Sequence, residues 1–337
     1  MTSPTPSSAE LRAAVDLELR SFLLDRRAAL PGAEVLIDEI TRLLDSGGKR
    51  IRPAFCYWGY RTNAADHGAE AVRASASLEL LHTFAIVHDD IMDSSEERRG
   101  VPTVHVLRGL NTALLVGDLA LVLADALFLG ADFPTDRMAA AFEWYSHMRQ
   151  QVIAGQYLDL ELSGEPLVTE ERARWVAVLK SGRYSIEHPL TIGACLAGAD
   201  EARLGCIRAF GAPLGEAFQL RDDLLGTFGD RSSTGKPVDS DIREGKRNVL
   251  YAKAVAALPD VERDFFVARW GAGANLSDSE VERLRALVHS SGARAATESL
   301  LAELTAGALR ALDSLEVAPE VRTALAELAH EATVRQT

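Results

Sequence analysis

Residues 80–93 read LLHTFAIVHDDIMD, an apolar run that ends in three acids, Asp89, Asp90 and Asp93. In a helix, side chains at i and i+4 share a face, so Asp89 and Asp93 point the same way, while Asp90 lies about 100° round the axis. Acids beside apolar residues are costly to bury unless a positive charge meets them. We therefore predict that Asp89 and Asp93 bind a divalent cation and that Asp90 supports them. A solvated helix end is the alternative.

A second acidic cluster, Asp222 and Asp223, ends the stretch FQLRDD at 218–223. Here the i+4 position is Gly226, so only Asp222 points as a strong ligand in the corresponding direction. Mg²⁺ accepts few carboxylates when waters and phosphate oxygens complete its shell. Two such clusters facing each other would form a cage for divalent cations, which predicts metal-dependent chemistry on a phosphorylated substrate.

Basic motifs accompany the acids: GGKRIRP at 47–53, RRGVPTVH at 98–105, KS at 180–181, and GKP with DIREGK within 235–246. Glycine-rich loops with cations often receive phosphate, and arginine matches phosphate geometry with two parallel hydrogen bonds. Taken singly, each motif has an ordinary explanation, such as an exposed charged loop or arginines that neutralise neighbouring acids. They gain meaning from what accompanies them.

Composition narrows the class of protein. The chain has 337 residues, of which 47% are hydrophobic and only 6% aromatic, and this favours helix over sheet. A net charge of −13 argues against general nucleic-acid binding. Cys56, Cys195 and Cys206 match no metal-site spacing, and their odd number favours a reducing cytoplasm. The apolar run 113–130 contains two acids, so a buried core helix is favoured over a membrane span.

Helical periodicity dominates the chain, and no run alternates as a sheet strand would. The predicted helices cover 9–30, 33–45, 50–62, 67–91, 111–129, 136–162, 170–197, 201–228, 246–257, 278–291, 294–313 and 318–334, with breaks at glycine and proline clusters such as 235–237. We predict one all-α domain over 9–337, preceded by a disordered tail at 1–8.

The ordered set of motifs, together with GQYLD at 155–159, resembles the trans-isoprenyl diphosphate synthases, or polyprenyl synthetases. This resemblance implies a bundle of roughly a dozen helices around a deep central pocket, the isoprenoid synthase fold, usually as a homodimer. It also implies head-to-tail prenyl transfer between isopentenyl diphosphate and an allylic diphosphate, with no nucleic acid and no integral membrane association.

The resemblance also implies roles for individual residues. Asp89 and Asp93 would hold two Mg²⁺ and Asp222 a third, with Mn²⁺ as an alternative metal. The allylic diphosphate would meet Arg98, Lys180 and Lys246, with Lys236 close by. The isopentenyl diphosphate would meet Lys49, Arg52, His82 and Arg99. Ser181 and Gln219 would flank the reacting carbons, and Gln156 and Asp159 would line the cavity.

The resemblance also implies that the residues below Asp89 on its helix would limit the length of the product. Phe84, five residues earlier, lies about 7–8 Å deeper and would form the floor, whereas Ala85 is small. This combination resembles the geranylgeranyl diphosphate (C20) synthases of the short DDxxD kind. A farnesyl (C15) or longer product, a class I terpene cyclase and a non-catalytic subunit are the alternatives.

Overall fold

The computed structural model describes residues 6–66, 68–229 and 239–334, and within them the chain is almost entirely helical. A π-helix covers Val178–Glu187 and a 3₁₀ turn covers Gly273–Asn275. The α-helices, α1 to α16 in chain order, are Ser8–Ala29, Glu34–Asp45, Ile51–Arg61, Ala69–Met92, Val104–Arg108, Leu110–Leu129, Thr135–Ser163, Glu170–Ala177, His188–Leu196, Glu201–Phe228, Ser240–Glu244, Val249–Ala257, Asp260–Arg269, Asp278–Ser290, Ala293–Ser314 and Pro319–Thr333. The predicted all-α fold is confirmed.

The chain divides into two compact units, each built from three segments. Unit 1 comprises the described residues of 1–146, 188–208 and 315–328, and unit 2 comprises those of 147–187, 209–314 and 329–337. Helices α7 and α10 each begin in unit 1 and end in unit 2 along the chain. The prediction of one domain around a central pocket stays a prediction.

Helix α4 is the central element of unit 1, and it packs most extensively against α6 and also against α3, α1 and α2. Its buried residues lie all round the axis rather than along one stripe, as expected for a helix that neighbours enclose. They include Leu78, Leu80, Leu81, Phe84 and Val87. The helix that carries the first acidic cluster is therefore held rigidly by apolar packing.

Helices α3 and α9 approach each other closely because each presents a glycine. A Cβ on Gly59 would strike the carbonyl of Leu190, and one on Gly193 would strike the carbonyl of Cys56. Any side chain at either position would force the two backbones apart. These glycines therefore fix the close packing of α9 against α3, the helix that carries the end of the GGKRIRP motif.

The core of unit 2 surrounds a trio of aromatic rings. The ring centroid of Tyr251 lies 5.5 Å from those of Phe266 and Trp270, and the centroids of Phe266 and Trp270 are 4.9 Å apart. Leu224 of α10 and Ile242 of α11 belong to the same apolar cluster. This packing joins the helix of the second acidic cluster to the short helix that follows it.

The structure differs from the predicted elements in several short segments. Helices α5, α11 and α13 were not predicted, because five to ten residues carry too little periodicity to detect. An antiparallel pair, β1 (Glu97–Arg98) with β2 (Val101–Pro102), was also not predicted. At the N-terminus, Ser7 and Glu10 form a capping box and the helix begins at Ser8, one residue earlier than predicted.

Helix α6 is the one described helix long and apolar enough to cross a membrane by length and composition. Its mean hydropathy over the span window is 2.0, and 44% of that window is buried. The predicted break at 235–237 lies outside the described residues.

Candidate active site

The first acidic cluster lies at the C-terminal end of α4 in unit 1. The helix ends at Met92, and Asp93 is the C-cap residue, whose backbone N–H donates to the carbonyl of Asp89 at 2.8 Å. Ser94 then adopts a left-handed backbone with φ of 53°, which turns the chain away from the helix. This backbone hydrogen bond places Asp93 one helical turn after Asp89, as the i, i+4 spacing predicts.

Asp90 faces inwards and holds Arg98. Asp90 is 2% exposed, and its Oδ1 accepts from Nε of Arg98 at 2.8 Å and lies 2.6 Å from Nη2 of the same guanidinium. Nη2 of Arg98 also lies 3.4 Å from Oδ2 of Asp89. Asp90 therefore aims a guanidinium at the acidic cluster, and charge-assisted hydrogen bonds of this kind fix orientation strongly.

The hairpin of β1 and β2 places the second arginine of the RRG motif. Arg99 and Gly100 form its two-residue turn with φ of 54° and 75°, the left-handed pair that a type I′ turn requires. The guanidinium of Arg99 donates to the carbonyl of Gly47. The motifs at 47–53 and 98–105 are thereby brought into direct contact.

His82 lies among these cations. Burial lowers the pKa of His82 well below its ordinary value of 6.5, and the charges of Arg52, Arg99, Arg98 and Arg50 lower it further. The imidazole is neutral at neutral pH, so it offers an anion one N–H rather than a charge. Lys49 is exposed on the loop just before Arg50, and Arg52 is half-buried on the first turn of α3.

Phe84 packs under the acidic cluster within unit 1. Its ring meets that of His88 edge-on, with centroids 4.9 Å apart. Nε2 of His88 lies 3.3 Å from the carbonyl of Leu114 on α6. A Cβ on Gly117 would strike the imidazole, so the glycine is what lets His88 occupy this place.

The second acidic cluster lies on α10 in unit 2. Nε2 of Gln219 donates to Oδ1 of Asp223 at 2.7 Å, while the buried Oδ2 of Asp223 has no hydrogen-bond partner among the described residues. Burial raises the pKa of Asp223 well above its ordinary value, and the nearby Asp241, Asp222 and Asp159 raise it further. A cation at this cluster would satisfy the buried oxygen and relieve the repulsion.

Gly226, the position without an acid, faces a carboxylate from elsewhere in the chain. A Cβ on Gly226 would overlap the carboxylate of Asp241, which α11 carries. Asn248 Nδ2 donates to Oδ2 of Asp241 at 3.4 Å. The sequence motif DIREGK contains Asp241 but predicts no role for it, because its proximity to residue 226 depends on the fold of unit 2.

Two lysines of unit 2 share one counter-ion. Lys180 Nζ lies 2.7 Å from Oδ2 of Asp159, and Lys246 Nζ lies 3.5 Å from the same oxygen. Lys180 and Ser181 stand on the π-helix Val178–Glu187, a helix type often found at functional sites. Lys236 lies outside the described residues.

No group of three or more His, Cys, Asp or Glu side chains in metal-binding geometry occurs among the described residues. The acids form pairs within each unit instead. Pairs of carboxylates suit Mg²⁺, which keeps several waters and shares its shell with substrate phosphates. The donor set is therefore of the kind expected for a cation that arrives with a diphosphate.

The family model described as Polyprenyl synthetase matches residues 33–286, which is more than half of the chain. The chain belongs to the polyprenyl synthetase family. It is therefore a prenyltransferase with the isoprenoid synthase fold.

Individual polyprenyl synthetases are similar over most of their length. A geranylgeranyl diphosphate synthase of Sulfolobus acidocaldarius is 38% identical over 240 residues, 68% of this chain and 69% of the relative. A (2E,6E)-farnesyl diphosphate synthase of Mycobacterium bovis is 35% identical over 251 residues, 73% of this chain and 68% of the relative. A solved geranylgeranyl pyrophosphate synthase of Corynebacterium glutamicum, complexed with isoprenyl diphosphate and magnesium, superimposes with a TM-score of 0.94 at 31% identity, covering 98% of this chain and 100% of that one.

Proposed function

We propose that this polyprenyl synthetase condenses isopentenyl diphosphate with an allylic diphosphate to give geranylgeranyl diphosphate. The observation that carries the proposal is the end of α4, where Asp89, one turn before Asp93, lies beside Arg98, which Asp90 anchors. This arrangement offers a diphosphate both cation-binding carboxylates and a fixed guanidinium. The relatives named as geranylgeranyl diphosphate synthases support the same activity.

We assign Mg²⁺ to Asp89 and Asp93 in unit 1 and to Asp222 in unit 2, three ions in all, with Mn²⁺ as an alternative. The buried Oδ2 of Asp223, which has no hydrogen-bond partner within the described part of the chain, and the raised pKa of that carboxyl fit a cation nearby. When bound, Mg²⁺ would neutralise the diphosphate as it leaves.

The reaction begins when the C–O bond of the allylic diphosphate breaks and diphosphate leaves with the electron pair. Arg98 is held by Asp90 and supplies positive charge that needs no reorganisation as the leaving group gains negative charge. Lys180 and Lys246 are assigned to the same diphosphate; Asp159 holds both lysines until substrate competes for them. Ser181 and Gln219 are assigned to the faces of the allylic cation.

The double bond of isopentenyl diphosphate then attacks the cation, a C–C bond forms, and a proton passes to the released diphosphate. Lys49, Arg52 and Arg99 would bind the isopentenyl diphosphate, and neutral His82 would donate one hydrogen bond. Tight apolar packing around α4 would keep water from the cation, which would otherwise hydrolyse.

Phe84 supports the C20 product. It is buried against His88, which in turn lies over Gly117 of α6, so both helices contribute to this wall. Farnesyl diphosphate is the second candidate product, because a farnesyl diphosphate synthase is also among the relatives.

We also propose a homodimer that pairs the exposed face of α6 with that of a second copy. Leu115, Val122 and Leu129 are 55%, 61% and 52% exposed at spacings of seven residues, and they form an apolar stripe. Exposed apolar stripes of this kind mark association surfaces. Light scattering on the purified protein should give the mass of two chains, and Val122→Glu should give the mass of one. The cytoplasmic location stays a prediction.

The proposed activity is tested with purified protein, isopentenyl diphosphate and each allylic primer in turn, with and without Mg²⁺. Products are dephosphorylated and their chain length is read by mass spectrometry. A C20 alcohol that disappears when EDTA is added supports the proposal. A C15 alcohol would favour the farnesyl alternative, and absence of condensation with every primer would overturn the proposed function.

A further inference from the structure

Arg50, in the middle of the GGKRIRP motif, differs from the cations on either side of it. Its backbone is left-handed, with φ of 52°, which is uncommon for a residue with a side chain. Its side chain is buried, only 7% exposed, whereas Lys49 is exposed and Arg52 is half-buried. The left-handed residue turns the chain so that one cation of the motif enters the core while its neighbours stay outside.

The guanidinium of Arg50 connects three helices. It donates to Oδ1 of Asp16 on α1 at 2.8 Å, to Oε2 of Glu79 on α4 at 2.9 Å, and to the carbonyl of Leu44 at the end of α2 at 2.7 Å. Burial opposes the charge of Arg50, but Glu79 and Asp16 outweigh that effect and hold its pKa above the ordinary value. The side chain is thus a charged, fully oriented anchor that does not face solvent.

Glu79 connects this anchor to the other proposed contacts of isopentenyl diphosphate. It lies one helical turn before His82 on α4, so the two side chains share a face. Burial lowers the pKa of Arg99, and Glu79 opposes that decrease. One buried carboxylate therefore compensates two arginines that would otherwise repel each other before substrate arrives.

The loop itself is packed against both guanidinium groups. A Cβ on Gly48 would lie 3.0 Å from Nη1 of Arg50 and 3.5 Å from the guanidinium of Arg99. The carbonyl of Gly47 accepts from Arg99. Residues 47 and 48 are consequently held between Arg50 and Arg99, and Lys49 and Arg52 follow in fixed register.

We propose that Arg50, bound to buried Glu79, is a positioning residue that sets the site for the diphosphate of isopentenyl diphosphate without touching that substrate. The inference rests on the proposed function for its substrate and adds a division of labour within the motif. Lys49 and Arg52 bind, and Arg50 orients them. An ion pair that served stability alone would have no selective effect on one of the two substrates.

The test compares Arg50→Gln, Arg50→Lys and the double variant Arg50→Gln/Glu79→Gln with wild type. The KM of each substrate, kcat and the melting temperature are measured for each protein. Without the anchor we expect the KM for isopentenyl diphosphate to rise about ten-fold or more, while kcat and the KM for the allylic diphosphate change by less than about three-fold. Arg50→Lys should raise the KM for isopentenyl diphosphate similarly, since one ammonium does not match three separated acceptors.

The double variant separates positioning from stability. Arg50→Gln leaves Glu79 buried without its partner and should lower the melting temperature, whereas the double variant removes both charges and should recover much of it. The KM for isopentenyl diphosphate should stay high in both proteins. Recovery of KM together with the melting temperature would overturn the inference.

Arg73→Gln is the matched control, because Arg73 of α4 also pairs with α1, through Glu18 at 2.8 Å. It should lower the melting temperature without changing the KM for isopentenyl diphosphate. An equal rise in KM in this control would also overturn the inference.

Calorimetric titration of isopentenyl diphosphate into each full-length protein keeps the inference separate from the proposed function. Weaker binding in Arg50→Gln and in the double variant, but not in Arg73→Gln, supports positioning even if turnover is never observed. Equal binding in all five proteins overturns it. A wild-type protein that binds but condenses no primer refutes the proposed function alone.

Discussion

The carboxylate of Asp241 occupies the space that a side chain on Gly226 would need. Position 226 is where the second acidic cluster lacks the acid that Asp93 supplies to the first. In the fold, α11 brings a carboxylate to that place from fifteen residues further along the chain. The glycine is thus a steric requirement for Asp241 rather than a simple loss.

Gly226→Ala should impair metal-dependent turnover without unfolding the protein. The added methyl group would displace Asp241, while alanine is intrinsically better than glycine in a helix by about 1 kcal/mol. We expect kcat/KM to fall about ten-fold and the Mg²⁺ concentration for half-maximal rate to rise. Gly205→Ala on the same helix is the control, since a Cβ at this position would have no atom within 4 Å. A wild-type Mg²⁺ dependence in Gly226→Ala would show that the position of Asp241 is unimportant.

Phe84→Ala should lengthen the product, because it removes the ring that packs edge-on against His88. Chain length is read by mass spectrometry after dephosphorylation. The replacement also costs about 3–5 kcal/mol of stability, so it is assayed well below its melting temperature. Ala85→Phe is the opposite change and should shorten the product towards C15. An unchanged product distribution in Phe84→Ala removes this residue from the floor.

Asp90→Asn should weaken binding of the allylic diphosphate more than that of isopentenyl diphosphate. The amide keeps an acceptor for Arg98 but loses the charge that makes both hydrogen bonds strong. We expect the allylic KM to rise about ten-fold in steady-state kinetics. Glu97→Gln removes an exposed acid next to Arg98 and serves as the control. If both variants behave alike, Asp90 contributes only to the general charge of the cluster.

His82 should make the protein less stable in acid. Its pKa is lower in the folded chain than the ordinary 6.5, so below that pH the unfolded chain binds a proton that the folded chain does not. The free energy of unfolding therefore falls as pH decreases from 6.5, by at most about 1.4 kcal/mol per pH unit from this group. His82→Gln should flatten this slope in denaturant titrations between pH 6.5 and 5. His330→Gln, at an exposed histidine, is the matched control.

Much of the fold was predictable because long amphipathic or wholly apolar segments have a clear helical period. Helical geometry alone also predicts that Asp89 and Asp93 share a face. The hairpin at 97–102 did not, since two residues per strand leave no alternation to detect. Its turn depends instead on the left-handed backbone of Arg99 and Gly100.

The site was less predictable where neighbouring residues of the same charge differ in burial. Lys49, Arg50 and Arg52 are equivalent as sequence, and only the backbone angle at Arg50 decides that its side chain is buried. Lys180 and Lys246 both pair with Asp159, although they lie 21 and 87 positions from it in the chain. Such relations arise from tertiary packing and have no local signature.

The π-helix Val178–Glu187 has a consequence for how this chain tolerates insertions and deletions. Its hydrogen bonds span five residues instead of four, so each of its turns carries extra backbone relative to an α-helix. Deleting one residue there would let the segment relax to an ordinary α-helix, and the residues next to the deletion would shift in helical register. Lys180 would then face a different neighbour from Asp159. When homologous chains are aligned, a one-residue gap in this segment should indicate a change of helical register at the position of Lys180. It should not be interpreted as a neutral deletion in a loop.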